Sequence, residues 1–206
     1  MIRSLSAADP RVRRSRVALM NATVALVSER GTAGIPLSDI AEAAGVSRPV
    51  VYQHFGDRDA LVLESAVDLA TRELLPRMAK THGASSRRDG ALALARHFAE
   101  HRAFYRAVLT SSSAFALTKS LTGLFMPLNR QLVHEMSAGA LDWQGGEDFA
   151  TFLTGGAATF VNTWVIEGAE PLDPDQFADR IMRLSVTAAL LEPGSTTATY
   201  PKESTP

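Results

Sequence analysis

Two histidines and a glutamate lie close together in the segment His97–His101, which reads HFAEH. In a helix this spacing puts both imidazoles on one face, one turn apart, where they can hold a zinc ion. Glu100 would then act as the general base of a zinc-dependent hydrolase. A third ligand would have to come from a downstream helix, and the candidates are Glu135, Glu147 and Glu167. Because five-residue strings of this composition also arise by chance, a second chemistry has to be weighed against this one.

The second candidate chemistry is DNA recognition by the segment Leu37–Phe55, LSDIAEAAGVSRPVVYQHF. Two short helices joined by a three- to four-residue turn with a glycine, here Gly45, form a helix-turn-helix. The apolar residues that would pack the pair together are Ile40, Ala41, Val46, Val51 and Phe55. The second helix would present polar or stacking groups near its N-terminus, namely Arg48, Pro49, Tyr52 and Gln53. A generic helical hairpin has the same pattern, so the pattern by itself leaves that alternative open.

The charge distribution favours the DNA interpretation. The chain has 206 residues, no cysteine and a net charge of −1. Residues 1–58 nevertheless carry eight arginines against five acids, and residues 59–206 carry the opposite excess. A basic head suits phosphate and an acidic body does not. The absence of cysteine removes disulfides and thiolate zinc sites and fits a reducing cytosol. We find no phosphate-binding glycine loop, no nucleophile elbow, no secretory signal, and no apolar run that approaches the roughly 20 residues of a membrane span.

The elements that must position these residues are all helical by periodicity, and no strand is predicted. Asp57 should cap the fourth helix and Pro76 should end or kink it. Ser86 and Asp89 resemble a capping box, and Thr81–Ser86 before it is predicted as a loop. The predicted helices are Arg11–Arg30, Leu37–Ala44, Arg48–Phe55 (capped by Ser47), Arg58–Lys80, Ser86 to about Thr110, Ala114–Ala138 (bent at Pro127), Gly145–Gly168 and Pro174–Leu191. The polar tail from Glu192 is predicted to be disordered.

The segment Leu19–Leu61 resembles the N-terminal domain of the tetracycline-repressor (TetR) family. The string IAEAAGVSRPVVYQHFGDRDAL carries the resemblance, after a helix that ends in SERG. Its matching positions are Ile40, Ala41, Ala44, Gly45, Val46, Ser47, Tyr52, His54, Phe55, Arg58 and Leu61. The departures are Val27 and Thr32 in place of frequent aromatics, Pro36 in place of a capping Ser or Thr, and Arg58 in place of lysine. The resemblance covers about a quarter of the chain.

Positions on the two helices suggest individual roles. Arg48 can reach guanine O6 and N7 bidentately, while Pro49 and Val50 would pack on a thymine methyl. Gln53 would read a base edge or reach the backbone, and Ser38 would touch a base or a phosphate. Phosphate contacts, which position a protein without reading sequence, are assigned to Ser47, Tyr52, His54 and Arg58. Plain packing is the alternative for Tyr52 and His54.

The resemblance implies that the remaining helices bind an effector and form a dimer. Aromatic and polar side chains predict a ligand pocket for a largely apolar molecule, with Phe98, His101, Tyr105, Phe125, Asn129, Phe160, Asn162 and Trp164. The last two long helices would form a four-helix seam, with Phe149, Phe152, Gly156, Phe160, Phe177, Ile181, Leu184 and Ala188. Single aromatics at helical spacing are more often core, which is the competing interpretation.

The prediction is therefore an all-α cytoplasmic DNA-binding regulator, and a repressor in particular. Residues 1–58 would be a three-helix helix-turn-helix domain, ordered from about residue 11. Residues 59–191 would be a helical ligand-binding and dimerisation domain, and 192–206 a tail. Its partners would be a two-fold symmetric double-stranded DNA operator, a small-molecule effector and a second copy, without a membrane. No enzymatic activity, catalytic residue, cofactor or metal is predicted, although whether His97 and His101 bind a metal stays open. The alternatives are the zinc hydrolase and a DNA-binding regulator without a ligand.

Overall fold

The computed structural model describes residues 10–79, 84–137 and 141–190, and these residues form helices and their connections without a β-strand. The all-α prediction is confirmed. In chain order the elements are α1 (Pro10–Arg30), α2 (Leu37–Ala43), α3 (Arg48–Phe55), α4 (Arg58–Leu69), a π turn (Ala70–Leu74), α5 (Leu75–Ala79), α6 (Ala84–Glu100), α7 (Arg102–Leu109), α8 (Ala114–Ser137), α9 (Trp143–Glu167) and α10 (Pro174–Leu190). The predicted tail from Glu192 and the loop residues 81–83 lie outside the described residues.

The N-terminal head packs α2 and α3 onto α1 and the start of α4. Ile40 and Val51 are fully buried between the two short helices, and Leu19 of α1 is fully buried as well. Gly45 has a φ of 65°, a left-handed conformation that glycine adopts without strain, so it makes the turn between α2 and α3 tight. The amide of Val46 donates to the Ala41 carbonyl at 3.0 Å and closes that turn.

A continuous helical rod runs from the head into the body through α4, the π turn and α5. Asp57 caps α4 as predicted, because its Oδ1 accepts from the Ala60 amide at 2.8 Å. Pro76 does not end the rod. Proline cannot donate an amide hydrogen and its ring crowds the preceding turn, and the rod accommodates this with an i to i+5 hydrogen bond from Leu75 to the Ala70 carbonyl. The extra residue in the π turn rotates the side chains on either side of it relative to one another.

The body pairs α8 with α9 and α10 with α6, while α7 packs against α1 of the head. A single cluster of buried apolar side chains extends from Leu19 in the head through Leu74 of the rod to Phe177 of α10. Head and body therefore share one core, so a displacement in the body has packed side chains through which it can reach the head.

Three predicted helix ends differ from the structure. In the described residues α6 includes Ala84–Glu100, so Ser86 lies within the helix rather than at its start. The helix also breaks at His101, whose φ and ψ are −107° and 23°, well before Thr110. α9 begins at Trp143 because Asp142 Oδ1 accepts from the Gly145 amide at 2.7 Å, a side-chain cap that places the start upstream of the two glycines.

Among the residues that the structure describes, α9 alone is long and apolar enough, by length and composition, to cross a membrane. The sequence expectation of no such run was wrong, because no charged residue lies between Phe149 and Ile166. Only 28% of the apolar window of α9 is buried within the chain. An apolar helix with so much exposed surface is typical of an element that another surface covers.

Arg102 ties α7 to the end of α9. Its Nε donates to the Val165 carbonyl at 3.1 Å and its Nη2 to the Gly168 carbonyl at 2.6 Å. Helix-terminal carbonyls lack partners within their own helix, and this side chain is only 14% exposed. We expect Arg102→Leu to lower the free energy of unfolding by about 2–3 kcal/mol, because two charge-assisted hydrogen bonds are lost.

Urea denaturation followed by circular dichroism measures this change. The matched control is Arg106→Leu, one turn further along α7, where an exposed guanidinium reaches the Ile166 carbonyl at 3.3 Å. That substitution should cost less than about 1 kcal/mol. Equal losses in the two variants would contradict the role given to Arg102.

Candidate functional site

The N-terminal half of α3 presents an exposed polar surface. Ser38, Ser47, Arg48, Pro49, Tyr52 and Gln53 are exposed, and we call these six residues the reading face. Val50, His54 and Arg58, which were predicted to contact DNA as well, are partly buried at its edge. All nine predicted positions are thus exposed or partly buried, and their individual roles stay predictions.

Arg48 and Tyr52 form a pair at the centre of the reading face. Arg48 Nη2 donates to Tyr52 Oη at 3.0 Å, and its guanidinium carbon lies 5.6 Å from the centre of the phenol ring. The pair is one helical turn apart and faces away from the core, since Tyr52 is 46% exposed. Tyr52 therefore contacts the Arg48 guanidinium on the exposed side of α3, and its role in binding DNA stays a prediction.

Arg16 of α1 holds the far end of α3, a role that the sequence analysis missed. Its Nη1 donates to the His54 carbonyl at 2.8 Å, its Nη2 pairs with Glu64, and its guanidinium carbon lies 4.4 Å from the centre of the Phe55 ring. Burial, and next the charge of Arg16, lower the pKa of His54. A lowered pKa disfavours the charged imidazolium form of His54.

Ser47 stands at the N-cap position of α3 with extended backbone angles, but its side chain makes no capping hydrogen bond. The predicted side-chain cap is therefore wrong, and its hydroxyl remains at the exposed surface. Pro36 likewise gives α2 no side-chain cap. There Asp39 compensates, because its carboxylate accepts from Arg30 of α1 at 2.6 Å and from Ser38 at 3.1 Å.

A cavity of about 90 Å³ lies inside the body between α5, α6, α8 and α9. Four of the eight predicted pocket residues line it, namely Phe98, Phe125, Asn129 and Asn162. Most of the wall is apolar, and four of its five polar residues occur as two hydrogen-bonded pairs. Asn129 Nδ2 donates to Thr154 Oγ1 at 2.8 Å, and Asn162 Nδ2 donates to Thr118 Oγ1 at 3.0 Å. Sequence periodicity gave no signal for either threonine.

The other four predicted pocket residues do not line this cavity, and their contact with a ligand stays a prediction. Trp164 stacks on Phe177 with ring centres 4.0 Å apart, and Phe160 stacks on the same ring at 4.9 Å. These three aromatics fill the space between α9 and α10. Tyr105 is fully buried beside Phe98, but its hydroxyl points toward His97 and the rod. His101 lies at the α6–α7 junction.

The predicted seam residues divide into exposed and interior groups. Phe152 is 72% exposed, Leu184 is 54% exposed and Gly156 is exposed. Phe177 is only 1% exposed within a single chain, so the prediction that it faces a partner is wrong. Its ring is occupied by the stack with Phe160 and Trp164, which also makes Phe160 mainly an interior residue. Phe149 and Ile181 are partly buried, and the side chain of Ala188 lies outside the described residues.

The H-x-x-E-H segment does not assemble as the zinc-hydrolase hypothesis requires. Glu100 is about half exposed and pairs with Arg77 at 3.2 Å, away from the imidazoles. Glu73 of the π turn comes instead to the two histidines, with its Oε2 at 2.8 Å from His101 Nε2 and 3.9 Å from His97 Nδ1. The third ligand predicted from the sequence lies downstream, at Glu135, Glu147 or Glu167, whereas Glu73 lies upstream. Burial, and next the nearby His101, lower the pKa of His97 to about 4.

Comparisons with known proteins bear on two parts of the chain. Residues 19–65 match a family model described as bacterial regulatory proteins, tetR family. Residues 87–186 match a model described as a transcriptional regulator C-terminal region. The HTH-type transcriptional regulator BetI of Burkholderia thailandensis is 34% identical over 71 residues, which are 34% of this chain and 36% of BetI. The match thus spans about a third of that curated relative's length.

Solved structures resemble the chain over most of its length. The fatty acid degradation regulator FadR from Bacillus halodurans superposes with a TM-score of 0.61 at 16% identity, covering 82% of this chain and 96% of that one. A TetR-like transcriptional regulator from Rhodococcus sp. RHA1 gives a TM-score of 0.58 at 20% identity, with 86% and 97% covered. At these identities the likeness concerns the fold.

Proposed function

We propose that this chain, which belongs to the tetR family of bacterial regulatory proteins, is a cytoplasmic homodimeric repressor that a small apolar ligand releases from its DNA site. As a member of that family it is a DNA-binding regulator and not an enzyme. The observation that carries the DNA-binding half is the reading face, where Arg48 projects from the start of α3 beside Tyr52. The observation that carries the ligand half is the apolar cavity, because it is lined in part by the rod that begins at the head.

The dimer proposal rests on the exposed side of α9. Phe152, Gly155, Gly156 and Thr159 are exposed at helical spacing. A Cβ atom built on either glycine meets nothing within 4 Å, so the two glycines serve no close contact inside the chain. Small residues flanked by an exposed phenylalanine permit a second helix to approach closely. A second copy is the partner that fits, since a single recognition helix reads too few bases for useful specificity.

The release mechanism links the cavity to the reading face through the rod. Met78 lines the cavity from α5, the short helix that directly follows the π turn, and lies two residues after Pro76. A ligand that enlarges the cavity would displace α5, and α4 would carry the movement to the head. In a dimer the two recognition helices must be about 34–36 Å apart to enter successive turns of the major groove. Release follows if the ligand binds the displaced state more tightly.

A DNA-binding experiment tests the reading face. Selection from randomised double-stranded DNA should recover a two-fold symmetric site with the wild-type chain. We expect Arg48→Ala to cost about 1–3 kcal/mol on that site and to relax the preference at one base position per half-site, because a bidentate guanine contact is lost.

The matched control is Arg58→Ala at the start of α4, where the guanidinium lies beside Asp59 at 3.2 Å and was assigned to phosphate. This variant should weaken binding to all sequences about equally and should lower the salt dependence of binding. The division of roles is wrong if the two variants change the selected sequence in the same way.

A further inference from the structure

Three side chains that can bind a metal meet where the rod contacts α6. Glu73 comes from the π turn, His97 from α6, and His101 from the junction of α6 and α7. One donor atom from each residue can be chosen so that all three lie within 4.8 Å of one another. We call these three residues the histidine cluster. In the described part of the chain, these are the His and acidic residues that come close enough in a group of three to hold one metal ion. The proposed function does not use them.

We propose that the histidine cluster binds a divalent transition metal of the zinc class, through two imidazole nitrogens and one carboxylate oxygen. Two histidines and one glutamate form a known zinc ligand set that leaves a fourth position for water or another small ligand. The cluster contains no thiolate and only one carboxylate. Its donors therefore suit zinc better than magnesium or calcium, which prefer sites built from oxygen.

The spacing of the donors fits this ion. Zinc bonds to nitrogen and oxygen of about 2.0–2.2 Å put neighbouring ligands of a tetrahedron roughly 3.3 Å apart. Glu73 Oε2 lies 2.8 Å from His101 Nε2 and 3.9 Å from His97 Nδ1, so the two measured separations fall on either side of that value. Side-chain shifts of well under 1 Å would bring both separations to the ideal distance.

His97 supplies the strongest indication, because its Nδ1 is a buried polar atom without a hydrogen-bond partner. The side chain is 0% exposed. Its other nitrogen, Nε2, lies 2.9 Å from Tyr105 Oη, which in turn lies 3.5 Å from the Ala66 carbonyl oxygen. If the hydroxyl hydrogen points to that carbonyl, Nε2 carries the proton and Nδ1 presents a lone pair toward Glu73. Metal-bound histidines are usually oriented in this way by a hydrogen bond from the opposite nitrogen.

Two arginines near the cluster are each paired with another acid. Arg77 is paired with Glu100 at 3.2 Å, and Arg72 is paired with Asp68 at 2.6 Å. Both guanidiniums still act electrostatically on the cluster, Arg72 on Glu73 and Arg77 on His97, while the Glu73 carboxylate contacts the two imidazoles. Its side chain is 31% exposed and that of His101 is 23% exposed, so one side of the cluster is accessible from solvent. A metal ion can enter from that side, while Tyr105 closes the other.

The position of the cluster gives the metal a regulatory role, and this step rests on the proposed function. Glu73 belongs to the rod that begins at the head, and His101 precedes α7, which packs against α1 of the head. Coordination would fix the π turn to the α6–α7 junction, so the rod could no longer shift relative to the body. Metal occupancy should therefore alter the affinity for DNA.

Metal binding is tested first without DNA. The purified full chain is stripped with a chelator and titrated with Zn²⁺ by calorimetry and with Co²⁺ by visible absorption, which reports four-coordinate geometry. We expect one metal per chain, and at least about a 100-fold loss of affinity in Glu73→Gln and in His101→Gln. The matched controls are Glu100→Gln, which removes the acid of the H-x-x-E-H string, and His134→Gln on the exposed face of α8. Both should bind like the wild type.

Several outcomes would overturn the site. Binding that survives Glu73→Gln, or that is lost equally in Glu100→Gln, would show that the cluster is not the ligand set. The absence of stoichiometric binding at micromolar protein would do the same. Circular dichroism of each variant establishes that it is folded, and the two substituted ligands are partly exposed, so neither change creates a buried cavity.

The regulatory step is tested with the DNA recovered by selection. Adding Zn²⁺ to stripped protein should change the wild-type affinity for that DNA by about 5- to 150-fold, which is the usual range for coupled sites. The affinity of Glu73→Gln should not respond. If the wild type binds zinc and its DNA affinity stays constant, the coupling is wrong. Failure to bind any DNA would overturn the proposed function instead, and the metal titration would still stand.

Discussion

Phe152→Arg is expected to convert the protein from a dimer to a monomer. The phenyl ring is 72% exposed in the single chain and lies on the apolar side of α9 that we propose as the seam. Burying an unpaired charge costs about 3–5 kcal/mol, and a two-fold interface contains the substitution twice, which gives about 6–10 kcal/mol. The dissociation constant of the dimer should therefore rise by at least about four orders of magnitude. Sedimentation equilibrium measures this change.

Loss of the dimer should also remove specific DNA binding. A monomer keeps one reading face, so its affinity for the two-fold site should fall by about 10³-fold, toward the nonspecific level. Leu184→Arg on α10 tests the second helix of the seam in the same way. Phe160→Arg is a poor test, because that ring stacks on Phe177 inside the chain and its replacement would damage the core.

Phe115→Arg is the matched control for the seam. This phenylalanine is 80% exposed, even more than Phe152, but it lies at the start of α8 and away from the proposed interface. The variant should remain dimeric and should bind DNA like the wild type. If Phe152→Arg still sediments as a dimer, the interface lies elsewhere. If Phe115→Arg dissociates instead, α8 forms it.

The head could be predicted from sequence because its determinants are local. Ile40 and Val51 belong to two short helices separated by one tight turn, and Gly45 is the residue type that the turn requires. Once that geometry is fixed, the exposed positions of α3 follow from the helical period alone. The position of Asp57 as a cap followed from the same short-range chemistry.

The histidine cluster and the cavity could not be predicted because they depend on packing between distant segments. The π turn inserts one extra residue into the rod. The side chains after the turn are therefore rotated, relative to those before it, from the positions that a regular helix would give them. Only the packed rod brings Glu73 to His97. Similarly, Asn129 meets Thr154 because α8 and α9 lie side by side, and nothing in their spacing along the chain signals the pair.

The aromatic residues of the body were misassigned for a related reason. Periodicity shows which side of a helix is apolar but not which neighbouring element covers it. Helical spacing predicts Phe177 as a seam residue and Trp164 as a pocket residue. In the structure the two rings stack and fill the interior between α9 and α10. The distinction between core, pocket and interface therefore required the arrangement of whole helices.

Ala158→Phe is expected to mimic the ligand by placing a ring in the cavity. Ala158 of α9 lines the cavity, as does Met78 at the end of the rod. If occupation of this space favours the displaced state, affinity for the selected DNA should fall about 10- to 100-fold, equivalent to about 1.4–2.8 kcal/mol. Lys119→Phe, an exposed position on α8, is the control and should bind DNA normally. Overpacking itself costs about 1–3 kcal/mol, so thermal unfolding must show that Ala158→Phe is folded, and Ala158→Leu provides a smaller substitution.

The same coupling must also be visible from the ligand side, because linkage between two sites is reciprocal. Anilinonaphthalene sulfonate, a fluorescent probe of apolar surfaces, serves as the test ligand. It should bind the wild type and should bind Ala158→Phe at least about tenfold more weakly, which locates the probe in the cavity. Saturating the wild type with the selected DNA should then weaken probe binding by the same factor by which the probe weakens DNA binding. Equal probe affinity with and without DNA would mean that the cavity does not control the reading face, and the regulator would then bind its site without release by a ligand of this kind.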